Sequence, residues 1–369
     1  MIVASETQSP ARTAALETTT QVTALPPAIE TDNLRKVYDR RIAVHGLTIR
    51  VEQGEVFGFL GPNGAGKTTT VKMLMGLVHP TAGTARLLGK PLGDRDAKRK
   101  VGFLPELFRF HDWLTGEEFL DFHGRLYRMS AAERRKRIPE VLELVGLAGR
   151  GGEKLRGYSK GMQQRAGLAQ ALLNNPQVVF LDEPTSALDP LGRMDVRDVI
   201  RRLRDQGTTV FLNSHLLSEV ETVCDRVAII NHGQLAAVGP VLDLLDRAFA
   251  VELRLGAWNA DIEAAISRTG RILELDHPTP RHSIATIEAA DEERIAALVD
   301  RLVALGTPVY GVTPRRLSLE DVFLTIVGGQ RLQQPALNPH QLERPSANGR
   351  TPDAVKSDLL TRTDSERER

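Results

Sequence analysis

Gly61-Pro62-Asn63-Gly64-Ala65-Gly66-Lys67-Thr68 is the stretch that decides the fold. It fits the pattern G-x-x-x-x-G-K-[ST]. Before it runs Val56-Phe57-Gly58-Phe59-Leu60, an apolar segment with the length of a buried strand, and after it Thr69-Thr70-Val71-Lys72-Met73-Leu74-Met75, a segment predicted to be helical. Strand, glycine-rich loop and helix in that order are what a phosphate-binding loop requires. Glycines let successive backbone N–H groups turn inward, and the start of the helix adds a positive dipole end aimed at the same point. On this reading Gly61, Pro62, Asn63, Gly64, Ala65, Gly66, Lys67, Thr68 and Thr69 cradle a nucleoside triphosphate. Lys67 reaches its β- and γ-phosphates, and the Thr68 hydroxyl holds Mg²⁺.

The composition bounds the rest. A chain of 369 residues, 41% of them hydrophobic, has the material for roughly two domains with proper cores. Its formal net charge of +1 argues against a general nucleic-acid binder, so no nucleic acid is expected as a partner. Cys224 is the single cysteine, so no internal disulfide forms and a reducing compartment fits best. Residues 1–29 are rich in Thr, Ala, Pro and Ser and lack the apolar block of a signal peptide. No run of about 18 apolar residues occurs anywhere, so any transmembrane work is expected to fall to a partner.

The chain divides into four parts. Residues 1–29 and 331–369 read as polar, disordered tails, the second with Pro335, Pro339, Pro345 and Pro352 and a charged end. Residues 30–246 hold every nucleotide motif. Within them Asn33–Tyr38 and Ile42–Val51 read as strands joined by a turn at Asp39-Arg40-Arg41. From about 107 to 174 the pattern turns helical. Ile138, Val141, Leu142 and Val145 recur at helical spacing, and Phe119, Phe122 and Leu126 predict a second buried face. Strands are predicted at 101–104, 178–181 and 209–212, the last two as buried parallel strands. Residues 248–330 run β-α-β-β-α-β, the split arrangement of ferredoxin-like domains. A closing helix at 318–326 would bury Leu319, Val322, Phe323 and Ile326.

Two further motifs stand in the cassette. Leu181-Asp182-Glu183-Pro184 closes the strand at 178–181, placing Asp182 to hold Mg²⁺ and Glu183 to polarise a water that attacks the γ-phosphate. Tyr158-Ser159-Lys160-Gly161-Met162-Gln163-Gln164-Arg165 opens a helix. Ser159 is an N-cap there, and its hydroxyl with the following amides makes a second anion-binding helix start.

In order and spacing, the phosphate loop, helical insert, Ser-x-Gly segment, Leu-Asp-Glu-Pro-Thr-Ser and later histidine resemble the ATP-binding subunit of ABC transporters. The likeness covers about residues 30–246. It implies an α/β fold, a P-loop NTPase core with an inserted helical subdomain, followed here by a small α+β ferredoxin-like C-terminal domain. It implies ATP and Mg²⁺ as cofactors, and ATP hydrolysis coupled to transport. It also implies that Tyr38, otherwise a half-buried strand tyrosine, stacks on adenine. Ser186-Ala187-Leu188-Asp189 corresponds to the loop that links two nucleotide sites of a dimer, with Asp189 at its end. His215 corresponds to the histidine that contacts the γ-phosphate. Implied partners are integral membrane permease subunits and a second copy of the chain, closing around two ATP molecules with each Ser159 and Gly161 on the other's nucleotide. The implied location is cytoplasmic, peripheral on the inner face of the cell membrane.

Two positions depart from the family pattern. Its usual Leu-Ser-Gly-Gly-Gln reads Tyr158-Ser159-Lys160-Gly161-Met162, which keeps Ser159 and Gly161. Its loop glutamine is Glu106, a carboxylate that can still ligate Mg²⁺ or a water but brings a charge. Both departures, and Leu319-Glu320-Asp321-Val322-Phe323-Leu324 near the C-terminus, resemble the branch that energises drug, lipid and polysaccharide exporters with separate membrane subunits. The alternative is a soluble ABC-type ATPase acting on ribosomes or DNA. Such proteins usually carry two cassettes or a long coiled coil, and this sequence shows one cassette and no sustained heptad.

Overall fold

The computed structural model describes residues 25–328, apart from 108, 246–248 and 290. Residues 1–24 and 331–369, most of the two expected tails, lie outside the described residues. The inner end of the first is no tail. Ala28 and Ile29 are fully buried, and the Leu88 N–H donates to the Ala28 carbonyl at 2.8 Å.

The chain opens with β1 (Ile29–Tyr38) and β2 (Arg41–Leu47), an antiparallel pair closed by Tyr38 opposite Arg41. The turn is therefore two residues, Asp39-Arg40, and Arg41 belongs to the strand. Asp39 sits at φ 48°, a left-handed conformation that Asp tolerates in tight hairpins. The single strand expected over Ile42–Val51 is broken. After Leu47 the chain crosses to β3 (Arg50–Val51), which pairs with the start of β1. Thr31 pins that crossing, its hydroxyl donating to the Leu47 carbonyl at 2.8 Å and accepting from the Ile49 N–H at 2.9 Å.

Next come β4 (Val56–Leu60), α1 (Lys67–Leu74), β5 (Ala82–Leu87), β6 (Lys90–Pro91), α2 (Arg95–Arg99) and β7 (Val101–Leu104). Strand β5 joins β1, giving an antiparallel sheet in the order β2-β1-β5-β6, with β3 on β1. The helical insert supplies α3 (Gly116–Leu126), α4 (Ala131–Leu144) and α5 (Lys160–Leu172). The chain then alternates through β8 (Val178–Asp182), α6 (Pro190–Asp205), β9 (Thr209–Asn213), α7 (Leu217–Val223), β10 (Arg226–Asn231), β11 (Gln234–Pro240) and α8 (Val241–Leu245). These strands make the central sheet, in the order β11-β10-β4-β9-β8-β7. It is parallel from β10 to β7, and β11 is antiparallel at its edge.

Every residue of β4, β8 and β9 is buried, as expected of strands covered on both faces. Phe211 organises the layer, with ring centroids 5.8 Å from Phe57, 5.2 Å from Phe59 and 5.2 Å from Phe180. This cluster shares one core with Ile29, Leu34 and Val51 of the antiparallel sheet, so apolar burial clamps the two sheets together.

In the insert, Thr115 with Glu118 and Ser130 with Glu133 form capping boxes that start α3 and α4. Ile138, Val141, Leu142 and Val145 are buried as their spacing predicts. The face expected on α3 is not the one found. Phe119 is buried, but Phe122 is 43% and Leu126 63% exposed. The buried stripe runs instead through Gly116, Leu120 and Gly124, at i, i+4 and i+8. Gly124 lets α3 approach α4 so closely that a Cβ there would meet the Arg134 side chain at 2.5 Å. The two glycines thus fix the close-packed face, which keeps Phe119 and Leu120 inside and leaves Phe122 and Leu126 outside it. Similarly, a Cβ on Gly102 of β7 would strike the Ala171 carbonyl, so glycine sets how near α5 lies to the sheet.

After residue 248 come β12 (Phe249–Leu255), α9 (Ala260–Thr269), β13 (Gly270–Thr279), β14 (His282–Ala289), α10 (Glu292–Ala304) and β15 (Val309–Arg315). They form an antiparallel sheet in the order β13-β14-β12-β15, with its own core of Val251, Leu253, Ile287, Leu298 and Leu302. Helix α11 (Leu319–Val327) buries Leu319, Val322 and Thr325, while Phe323 and Ile326 are only half-buried. Thr325 takes the inner place because its hydroxyl accepts from Arg271 at 2.6 Å. At the helix ends, the Leu319 N–H donates to Glu221 of α7 at 2.8 Å, and Asn231 of β10 donates to the Val327 carbonyl at 3.5 Å.

Candidate nucleotide site

The C-terminal ends of parallel strands β4, β8 and β9 open on one side of the central sheet, where α/β proteins hold their ligands. A cleft of about 680 Å³ lies there, lined by Tyr38, Arg41, Ala43, Pro62, Asn63, Gly64, Gly66, Lys67, Thr68, Thr69, Glu106, Glu183, Asn213 and His215. That is ample for a nucleotide.

The loop after β4 has the shape a phosphate cradle needs. Gly66 stands at φ 104° and caps α1, and a Cβ on it would run into the Ala43 carbonyl of β2. No side chain fits there, so glycine is required. The Lys67 ammonium folds back to the Gly61 carbonyl at 2.6 Å. Burial holds its pKa below the usual lysine value, and the nearby charges of Glu183, Asp182 and Glu106 push the other way. Helix α1 begins at Lys67 rather than Thr69, so the N–H groups of Thr68 and Thr69 belong to its first turn.

Asp182 ends β8 and lies in register with Asn213 at the end of β9. The Asn213 amide donates to the Asp182 carboxylate at 2.5 Å. Burial raises the pKa of Asp182, and that hydrogen bond lowers it. Glu183, next along, has φ 53°, which costs a non-glycine residue roughly 1–2 kcal/mol. Its N–H donates to the Asn213 carbonyl at 2.8 Å, and its carboxylate meets His215 Nδ1 at 2.7 Å. Burial raises the Glu183 pKa, partly opposed by His215. A partly desolvated carboxylate paired with a histidine at the cleft wall has the chemistry of a general base.

Glu106 lines the cleft with these groups. Among the described residues, no three His, Cys, Asp or Glu side chains form a closed metal cage. The donors present are oxygens, one hydroxyl and one or two carboxylates. That set suits a hard cation held largely by the nucleotide's own phosphates.

Not every residue singled out in the sequence lines the cleft. Gly61, Ala65 and Asp182 are not among the lining residues, and Ala65 and Asp182 are buried. Ser159, Gly161 and Asp189 lie elsewhere. Ser159 is exposed and caps α5, accepting from the Met162 N–H at 3.2 Å. Asp189 is exposed and caps α6, accepting from the Gly192 N–H at 2.7 Å. Gly161 packs beside Leu188. Three lining residues escaped the sequence reading: Arg41, Ala43 and Asn213. Asn213 was findable as the strand-end residue two before His215. Arg41 and Ala43 depend on the hairpin register, which the pattern left one residue out.

A phosphate loop with a paired Asp-Glu and histidine at the ends of parallel strands defines a nucleoside triphosphatase. The comparisons with known proteins narrow this to a family. Residues 44–186 match the family described as ABC transporter. An uncharacterized ABC transporter ATP-binding protein of Synechocystis sp. is 43% identical over 307 residues, covering 80% of this chain and 83% of that protein. The daunorubicin/doxorubicin resistance ATP-binding protein of Streptomyces peucetius is 37% identical over 82% of this chain and 92% of its own length. The linearmycin resistance ATP-binding protein of Bacillus subtilis is 32% identical over 81% and 98%. Among solved structures, the ATP binding subunit of an ABC transporter is 30% identical with a TM-score of 0.56, covering 59% of this chain and 92% of that one. A dimeric ATP-binding cassette in a post-hydrolysis state with ADP and Pi is 28% identical with a TM-score of 0.54, covering 58% and 98%.

The chain belongs to the ATP-binding proteins of ABC transporters. It is an ATPase subunit that binds and hydrolyses ATP, and such subunits work with membrane subunits. No helix among its described residues is long and apolar enough to cross a membrane.

Proposed function

We propose that two copies of this chain close head to tail around two ATP molecules and so drive integral membrane permease subunits of an exporter. The observation that carries this reading is the position of Ser159, Gly161 and Asp189. All three lie outside the cleft that holds Lys67, Glu183 and His215, and Ser159 and Asp189 are exposed. Within one copy Ser159 and Asp189 only cap their helices and none of the three lines the cleft, whereas a second copy would bring them to its open side. The dimeric cassette with ADP and Pi among the solved structures supports pairing of two copies.

Within each site, Tyr38 stacks on the adenine, and the loop 61–69 with Lys67 cradles the phosphates. Thr68, Asp182 and Glu106 are the oxygen donors that would hold Mg²⁺, which supplies charge neutralisation at the phosphates when bound. Glu183 accepts the proton of the attacking water, and His215 both orients that carboxylate and contacts the γ-phosphate. Lys67 stabilises charge gathering on the transferred phosphoryl group.

Residues 30–246 act as the ATPase domain, with the helical subdomain at about 107–174, and 248–330 as an accessory domain. A groove beside Glu106 supports the membrane-subunit reading. Leu77, Phe103, Leu107 and Tyr127 are among its lining residues, and Leu107 is 87% exposed. Apolar surface of this kind at a domain junction marks an interaction site. A place on the cytoplasmic face of the cell membrane follows from such a partner. Relatives named for resistance to linearmycin and to daunorubicin/doxorubicin favour export as the direction of transport. Affinity purification from detergent-solubilised membranes tests this reading. A co-purifying protein with about six membrane-length helices is expected. Recovery of ribosomes or DNA in its place would overturn it.

A further inference from the structure

Glu183 is held in its left-handed conformation by groups on every side, and one of them comes from outside the strand ends. Its N–H is taken by the Asn213 carbonyl and its carboxylate by His215. Its carbonyl accepts from the Ser186 hydroxyl at 3.1 Å and from the Ser186 N–H at 3.3 Å, both within the same turn. The same carbonyl also accepts from Gln164 Nε2 at 3.3 Å. Gln164 belongs to α5 of the helical insert, is only 8% exposed, and has its amide nitrogen fixed towards Glu183 because a flipped amide would set oxygen against oxygen.

Helix α5 starts at Ser159, five residues before Gln164 and about 7.5 Å along the axis. Arg165, next to Gln164, is anchored to Asp195 of α6 at 2.8 Å. Because Ser159 caps the helix that carries Gln164, a displacement at the Ser159 end is passed along the helix to Gln164.

We propose that Gln164 is a positioning residue for ATP hydrolysis: it ties the backbone of Glu183 to α5, so that the water-activating carboxylate of one site responds to what docks on Ser159 of the same chain. The link between Gln164 and Glu183 stands on this chain alone. Its use as a signal between two nucleotide sites rests on the head-to-tail sandwich proposed above. A carbonyl with a residual partner in Ser186 tolerates losing Gln164, so variants fold and the effect appears in the hydrolytic step.

The test compares Gln164→Met, which keeps shape without a donor, and Gln164→Glu, which turns a carboxylate on the carbonyl. Steady-state hydrolysis is expected to fall about fivefold in Gln164→Met and further in Gln164→Glu, with affinity for a fluorescent ATP analogue within about twofold of the parent. A packing role alone predicts Gln164→Met equal to the parent in kcat, and that result would overturn the proposal. A double-mutant cycle with Ser159→Ala reads the coupling. Ser159→Ala should lower kcat less when Gln164 is already Met, and strictly multiplicative effects would refute the link between sites. Light scattering of Glu183→Gln with Mg-ATP separates the two readings. A monomer there removes the sandwich, while the kcat comparison still decides the Gln164–Glu183 link.

Discussion

Glu183 and His215 meet at 2.7 Å across the ends of neighbouring strands β8 and β9, the one buried, the other with 60% of its side chain exposed. The inner partner is shielded enough to act as a base, and the outer one is free to meet a phosphate. Strand register produces the pairing, because Asp182 opposite Asn213 puts Glu183 and His215 one and two residues beyond the last rung.

Lys67 is the main cation of the phosphate loop, and its ammonium rests on loop carbonyls that a phosphate would displace. Lys67→Ala should weaken ATP binding about 10- to 100-fold, the scale of one or two charge-assisted hydrogen bonds. Titration with a fluorescent ATP analogue measures this. Parent-like affinity would exclude Lys67 from phosphate binding.

Arg41 and Glu106 bring opposite charges to the same cleft. Arg41→Ala should lower ATP affinity several-fold and flatten its salt dependence while leaving adenosine binding unchanged, since only the phosphates carry charge. Without Mg²⁺, Glu106→Gln should raise ATP affinity for the converse reason. Titrations at two ionic strengths check both. Equal loss of adenosine and ATP in Arg41→Ala would point to a collapsed hairpin.

Phe211 touches three other rings at the heart of the sheet. Phe211→Ala should cost about 3–5 kcal/mol of stability through the cavity it leaves. Chemical denaturation of both proteins measures the difference.

Every residue lining the cleft precedes α7, so the region after about residue 246 is not needed to form it. A chain ending near residue 246 should bind ATP with parent affinity but respond poorly to its membrane partner. It should also melt lower, because Leu319 and Val322 no longer cover α7 and α8. Nucleotide titration, a thermal melt and ATPase activity on co-expression with the membrane subunits are the readouts. Unchanged coupling in a soluble, folded truncated chain would deny the C-terminal region a regulatory role.

Much of this was legible in the sequence because it was local. A glycine-rich loop between an apolar strand and a helix carries its own geometry, and an acid closing an apolar run marks a strand end. What escaped was set by distant partners. The α3 face turned away from Phe122 and Leu126 because Gly124 allows close contact with Arg134 of α4, which helical spacing within α3 does not encode. Arg41 entered the cleft through a two-residue turn where three residues were expected. Asn213 gained its place by register with Asp182, a pairing between strands 31 residues apart.

The central claim is that Glu183 activates the water while the rest of the cleft holds ATP. Glu183→Gln keeps the shape of the side chain and removes its basicity, leaving Lys67 and Asp182 in place. Single-turnover hydrolysis and equilibrium ATP binding, measured on the same preparation, test it directly. The account predicts near-parent binding with turnover abolished. Hydrolysis near the parent rate would contradict it and remove Glu183 from the mechanism.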